Sequence, residues 1–488
     1  MAPLALWSVV PLLAALAQSS WLPATPMLSR NNEARWQKDM APRASNSTGQ
    51  WPYGPFKTQG RDIVDSRGEI LSWAGINWPM SGETMIPEGL EWKSVDEILD
   101  DVQSVGWNVL RIHVTQGANV KLRGYATQMI DEIYERDGND VSLEVAMIMG
   151  LGYENGTKVT NEIVSKNPGW TARTTRFEIW SDIANKALEK GIFIHPDVHV
   201  HKAKWCCSHT DGNAWFDDVY FNTSNWRRGL AYVADWAKQH PNVVSMSLRN
   251  ELRSSWNRTD LYYNWQTLVG NMSAGSDAIH EANPDLLISW SGMQYDEDLS
   301  ALTARKNILT APCYKCDAIR DANRRDPVYF DLDSYPWADK VFWELHIYPM
   351  SEDVDTGTCE AVEAALYRAG FHALGMDPPS GCGKNLTGGD CPPPQRLTPV
   401  MLTEFGHAQD NTLYNDTLQN CLVEYTKKHR VGWMVWSLAG SYRTREGVQG
   451  MSDTWGLTNF EWNGWNDAET VENYWKPWVK AMNATTKP

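Results

Sequence analysis

The 488-residue chain is 42% hydrophobic and 21% charged, which is enough apolar material for a large packed core and excludes global disorder. Acidic residues outnumber basic ones, 60 to 44, giving a formal net charge of −16. No basic run interrupts that excess, so a nucleic-acid partner is not expected.

Residues 4–17 (LALWSVVPLLAALA) form a short apolar run ending in Ala15-Leu16-Ala17, a small-x-small cleavage pattern, so residues 1–17 are predicted to be a signal peptide. Residues 18–50 are polar and irregular and read as a leader, and residues 51–488 read as one domain with no internal repeat or linker. No later segment reaches 18 unbroken apolar residues, and the C-terminus lacks a hydrophobic tail, so a secreted, extracellular protein off the membrane is expected. N-x-S/T sequons at Asn46, Asn155, Asn222, Asn257, Asn271, Asn385, Asn415 and Asn483 agree with that address and predict N-glycans. The eight cysteines are an even set, as disulfides require. Cys382–Cys391 and Cys359–Cys421 are the expected pairs. Adjacent Cys206 and Cys207 pair either with each other or elsewhere, and Cys313-x-x-Cys316 is weak grounds for a redox or zinc motif.

From Trp51 onward, short apolar strands alternate with longer amphipathic stretches. The predicted strands are Leu71–Asn77, Val109–Val114, Ile192–His199, Val243–Asn250, Leu286–Ser289, Val341–Tyr348, Val400–Glu404 and Trp433–Trp436. Helical periodicity falls between them, at Val95–Val105, Arg176–Lys190, Asn225–Gln239, Asn264–Ala282 and Leu418–Lys428. Eight such units predict an α/β fold, a (β/α)8 TIM barrel, and the lack of any G-x-G-x-x-G or P-loop removes the usual signature of an open doubly wound sheet. Residues 115–175, 299–340 and 351–398 are long insertions after strands, placed to wall the catalytic face.

In such a barrel the chemistry sits at the C-terminal strand ends. Strand two carries Arg111 and strand three ends at His199. Strand four ends Leu248-Arg249-Asn250-Glu251, strand six ends His346-Ile347-Tyr348, strand seven contains Glu404, and strand eight ends at Trp436. Any one of these is more often an ion-paired or structural residue. Together they place two carboxylates among polar and aromatic groups, which suits acetal cleavage at a sugar: one carboxyl protonates the leaving oxygen while the other attacks the anomeric carbon. The abundance of Trp, 26 residues, fits either sugar stacking or an aromatic core. Trp78, Trp205, Trp290 and Trp455 near strand ends have the same two readings.

The segments DVHVHKAKWCCSHTDGNAWFDD (197–218), VVSMSLRNELR (243–253), ELHIY (344–348), LTEFG (402–406) and SLAGSYRTREGVQGM (437–451) resemble glycoside hydrolase family 5, the cellulase-type retaining enzymes, in a subgroup of plants and fungi. The resemblance runs from about Trp51 to the C-terminus. It implies that Glu251 is the acid/base and Glu404 the nucleophile. It further implies that Asn250 binds the sugar 2-hydroxyl, with Tyr348 and Arg111 beside Glu404. His346 would neighbour Glu251, His199 would contact the sugar, and Trp436 would floor its subsite. Leu252 stands where a Pro usually follows the acid/base, a departure that weakens inference from ordinary cellulases about substrate.

Retaining hydrolysis of β-linked glucosidic bonds, with β-glucan or cellulose as substrate, is therefore expected from a monomer that needs no cofactor. Transglycosylation, action on mannan, glycolipid or small glycosides, and a non-catalytic carbohydrate-binding barrel are the alternatives. His195, His199, His201, Cys206, Cys207 and His209 crowd one stretch, but strand alternation puts His195 and His199 on one face with Cys206 beyond it in a loop. No metal is expected there.

Overall fold

The computed structural model describes residues 54–80, 82–115, 120–122, 125–127, 141–304, 330–349, 357–379, 393–410, 414 and 416–483, all within the unit Met40–Pro488. The predicted signal peptide and leader, Cys313, Cys316, Cys382, Cys391 and the sequons at Asn46, Asn385 and Asn415 lie outside the described residues.

Eight strands pair in one parallel sheet: Ala74–Trp78, Val109–Thr115, Phe193–Val200, Ser245–Ser247, Leu287–Trp290, Val341–Ile347, Val400–Phe405 and Trp433–Val435. They are numbered one to eight below. Strand eight pairs with strand one, with Met434 opposite Gly75, and the last seam, between strands three and four, closes through a parallel bridge from Ile194 to Val243. This is a TIM barrel. Its strands are buried on both faces, as in Val341–Ile347, where every residue is buried.

The helices follow from caps and spacing. Val95–Val105 starts at a capping box of Ser94 and Glu97, buries Val95, Ile98, Leu99, Val102 and Val105 on one face, and stops at Gly106 with φ 94°. Arg176–Glu189 repeats the device with Thr175 and Glu178. Asn222 and Asn264 cap Thr223–Ala237 and Trp265–Ala282.

Several boundaries differ from expectation. Leu71 is not part of the first barrel strand. Ile70–Leu71 joins Lys57–Gln59 and Asp62–Val64 in a separate antiparallel sheet. Phe56 and Ile63 of this segment cluster with Val109, Phe193, Leu287, Phe342, Met401 and Met434 at the N-terminal ends of the strands, so the segment stoppers the bottom of the barrel. Strand four ends at Ser247 rather than Asn250, because the backbone turns away to seat Glu251. The insertions are partly helical: Leu143–Leu151 and Tyr153–Lys166 lie in the first, and Cys359–Ala369 in the third. That last helix is joined to Thr417–His429 by the expected Cys359–Cys421 disulfide. Closing a loop of 62 residues removes unfolded-chain entropy worth about 4 kcal/mol.

A hairpin after strand eight, Ser441–Arg445 with Val448–Ser452, escaped the pattern reading. Glu446 and Gly447 both have positive φ at its turn, so the Glu-Gly pair was its signal. Buried Arg443 fastens it to the loop after strand one through Glu91 (2.8 Å) and the carbonyls of Ile86 and Pro87 (2.9 and 2.6 Å). Among the described residues, no helix is long and apolar enough to cross a membrane.

Candidate active site

The C-terminal half of the barrel interior is organised around one cation. Arg111 is fully buried on strand two and donates to Asn77 Oδ1 (2.9 Å), Asn250 Oδ1 (2.8 Å) and Glu404 Oε1, and it pairs with Asp197 Oδ1 at 2.9 Å. Burial opposes its charge, but Asp197, Glu404 and Glu344 together raise its pKa above the usual arginine value. Burial likewise opposes the charge of Asp197, and Arg111 and His199 hold its carboxyl well below the usual range.

Glu404 is therefore fixed from two sides, since Tyr348 donates its hydroxyl to Oε2 at 2.9 Å while Arg111 holds Oε1. Glu251 stands in a different environment. Its backbone has φ 46°, and its N–H donates to Asp296 Oδ2 at 2.8 Å. Its Oε1 lies 3.1 Å from His346 Nδ1, and burial raises its pKa. Burial also pushes His346 down to about 4, so the imidazole is neutral near pH 7. One carboxylate oxygen of Glu251, one of Glu404 and a ring nitrogen of His346 lie within 4.8 Å of one another.

The turn that presents Glu251 is clamped by the two arginines of the Arg249-Asn250-Glu251-Leu252-Arg253 run. Arg249 donates to the carbonyls of Asn250 (2.6 Å) and Asn213 (2.5 Å), and Arg253 donates to those of Glu251 (2.6 Å) and Ser208 (2.9 Å). Arg253 also pairs with Asp211. Leu252, in the position of the usual Pro, is fully buried.

On strands two and three and just after strand eight the rings stack. His113 lies flat on His199, with centroids 3.9 Å apart and planes 4° from parallel, and Trp436 follows at 5.2 Å from His113. His199 Nδ1 is 2.8 Å from Asp197 Oδ2, and its Nε2 faces Cys206 Sγ at 3.2 Å. Trp205 meets the edges of Trp436 (6.4 Å) and Tyr442 (5.0 Å). Arg445 sits 4.0 Å over its ring, and Trp455 abuts Tyr348 at 5.7 Å.

The barrel thus brings together all eight candidates, Arg111, His199, Asn250, Glu251, His346, Tyr348, Glu404 and Trp436. The structure decides readings that the sequence left open. Trp78 and Trp290 line no subsite: both are fully buried and donate inward, to Glu88 O (3.0 Å) and Ser276 Oγ (2.9 Å). Cys206 lies in the loop beyond strand three, as expected, and that loop returns it to 3.2 Å from His199 Nε2, bonded to Cys207. His195 is fully buried, with Nδ1 2.7 Å from Ser245 Oγ. Asp197, His113 and Asp296 went unread, although the first two stand two residues from His199 and Arg111 on inward-facing strand positions, which is where period-two reading would find them. Asp296 had no such signal.

No family model matches the chain. A glycosyl hydrolase 5 family protein of Chamaecyparis obtusa is 28% identical over 424 residues, covering 84% of this chain and 63% of that protein. The chain is a relative of the glycoside hydrolase family 5 proteins. An endoglucanase of Paenibacillus polymyxa is 26% identical over 246 residues, half of this chain and 51% of its own length. The chain thus spans less than two thirds of either curated relative. Among solved structures, a hyperthermophilic endocellulase of Pyrococcus horikoshii superposes with a TM-score of 0.56 at 16% identity, covering 90% of this chain and all of that one. The catalytic domain of the major endoglucanase of Xanthomonas campestris gives 0.51 at 15%, covering 88% and 99%. The likeness to the glycosyl hydrolase 5 family protein extends over 84% of the chain.

Proposed function

We propose that this family 5 relative is a retaining β-glycosidase of cellulase type, acting on β-linked glucosidic bonds. The carrying observation is the proximity of the two carboxylates, with oxygens of Glu251 and Glu404 within 4.8 Å. Retention calls for carboxyls about 5–5.5 Å apart, while inversion needs about 6.5–9.5 Å to admit a water. Glu251 protonates the glycosidic oxygen as Glu404 attacks C1 from the opposite face, forming a glycosyl-enzyme, and water deprotonated by Glu251 then releases the sugar. Asn250, its side-chain oxygen engaged by Arg111, has only long contacts to the Cys206 and Cys207 sulfurs at its amide nitrogen (3.9 and 3.7 Å), and that N–H group binds the sugar 2-hydroxyl. The glucan assignment is supported by the relatives: the Paenibacillus protein is named an endoglucanase, and a solved complex of the Pyrococcus enzyme holds cellotetraose.

A panel of aryl β-glycosides and β-glucans, with NMR of the first product formed, tests this reading. The expected result is a β-anomer released from a β-glucoside. An α-anomer would end the double-displacement mechanism, and silence across the panel from a folded protein would end the hydrolase reading.

The pH profile carries a second expectation. Glu251 must be protonated to act as the acid, and burial raises its pKa, so the alkaline limb of kcat/KM should lie above the ordinary carboxyl range. Glu251→Gln should lower hydrolysis of an alkyl glucoside by about 10²–10⁴-fold and abolish that limb. A dinitrophenyl glucoside, whose leaving group needs no proton, should lose far less. Equal losses on both substrates would remove Glu251 from the acid role.

Secretion is part of the same proposal. Asn155, Asn222 and Asn257 are exposed sequon asparagines, and two disulfides among the described residues suit an oxidising compartment.

A further inference from the structure

The disulfide between Cys206 and Cys207 belongs to the sugar-binding wall rather than to the scaffold. Both residues are half-buried, and Asn250 Nδ2 lies 3.7 Å from Cys207 Sγ and 3.9 Å from Cys206 Sγ. Cys206 Sγ is 3.2 Å from His199 Nε2. His199 Nδ1 lies 2.8 Å from Asp197 Oδ2 on its other side, which leaves Nε2 facing the sulfur. One ring nitrogen and two sulfurs therefore converge, with the three atoms within 4.8 Å of one another. Behind the imidazole stands a buried carboxylate, the outer-shell arrangement that fixes the tautomer of metal-binding histidines.

We propose that Cys206–Cys207 masks a thiophilic-metal site, which appears when a thiol reductant opens the bond and which then closes the sugar pocket. A dithiol reduces the disulfide to two cysteine thiols and is itself oxidised to a cyclic disulfide. One Zn²⁺ or Cd²⁺ then binds both sulfurs and His199 Nε2, releasing the two thiol protons. The metal's oxidation state does not change, and two thiolates with a neutral imidazole balance its charge. Nitrogen and sulfur donors in this number suit a tetrahedral d¹⁰ cation with one position left for water. The bound ion occupies the donor face of His199 and stands beside the Asn250 amide. His199 also shares a second close group with His113 and Glu404, so the cation's charge falls beside the proposed nucleophile.

Cadmium binding tests the site without reference to catalysis, whereas the inhibitory half rests on the glycosidase reading. The full chain is reduced with dithiothreitol, desalted anaerobically and titrated with Cd²⁺, following the thiolate-to-cadmium absorption band. Oxidised protein should bind none. Reduced protein should bind one equivalent more than a Cys206→Ser/Cys207→Ser double variant treated in the same way, and a chelator should reverse it. Equal binding by the two reduced proteins overturns the proposal, as does a thiol titration showing that this disulfide resists reduction in the folded chain. If the double variant does not fold, His199→Gln supplies the comparison, because it keeps both sulfurs and should bind at least tenfold more weakly. Where hydrolysis is measurable, Zn²⁺ should slow the reduced enzyme at least tenfold and leave the oxidised enzyme unchanged. Metal-loaded enzyme at full activity would overturn the inhibitory half alone. A chain that hydrolyses nothing but still shows the cadmium band would locate the failure in the glycosidase reading.

Discussion

Glu404→Gln is expected to abolish glycoside hydrolysis, by about 10⁵–10⁶-fold, the order of loss when a covalent nucleophile is removed. The amide fills the same space, its oxygen can still accept from Arg111, and its NH2 can donate to the Tyr348 hydroxyl, the two groups that now hold Glu404. What it lacks is the anionic oxygen that bonds to C1. The fold should survive, because Arg111 keeps its 2.9 Å pair with Asp197 and its bonds to Asn77 and Asn250. Initial rates on an activated aryl β-glucoside, beside melting curves of both proteins, provide the check. Turnover within tenfold of wild type would exclude Glu404 from the nucleophile's place.

Arg111→Met is expected to damage stability as well as activity. The substitution keeps an unbranched stem of similar length but leaves Asp197, Glu404 and Glu344 close together in a dry interior without their shared cation. Burial already pushes Glu344 up to about 8, even with Arg111 nearby to lower it, so a further uncompensated carboxylate has little room to ionise. Breaking a buried pair by removing one partner costs about 3–5 kcal/mol, which should appear as a lower urea midpoint with an unchanged slope. Asn250 and Glu404 lose a common anchor in the same step, so kcat should fall with them. Wild-type stability in the folded variant would show that Arg111 serves the site alone.

Much of the architecture was legible in the sequence because a buried parallel strand leaves a strong local mark. Val341–Tyr348 and Val400–Glu404 are near-continuous apolar runs, and Val95–Val105 has its box, stripe and glycine stop in order. Strand ends then exposed the candidate residues, since a barrel directs them all to one face. The hairpin of residues 441–452 was missed because its second strand, Val448–Ser452, is exposed throughout and shows no alternation. Leu71 reads as the start of strand one yet pairs in the antiparallel sheet, because two short strands separated by two residues form one apolar run in the sequence.

The sequence by itself determined the strand–helix repeat, its eightfold count and the two glutamates with their helpers, all of which rest on residue type and short spacing. Only the tertiary structure decided which groups touch. That Arg111 joins Asn77, Asp197, Asn250 and Glu404, contacts spanning up to 293 positions, depends on closure of the barrel. Asp296 reaches the Glu251 N–H from the loop after strand five, and Cys206 and Cys207 pair with each other beside His199. Periodicity records which face a residue occupies, whereas a contact between faces of different strands is fixed by how the strands wrap in space.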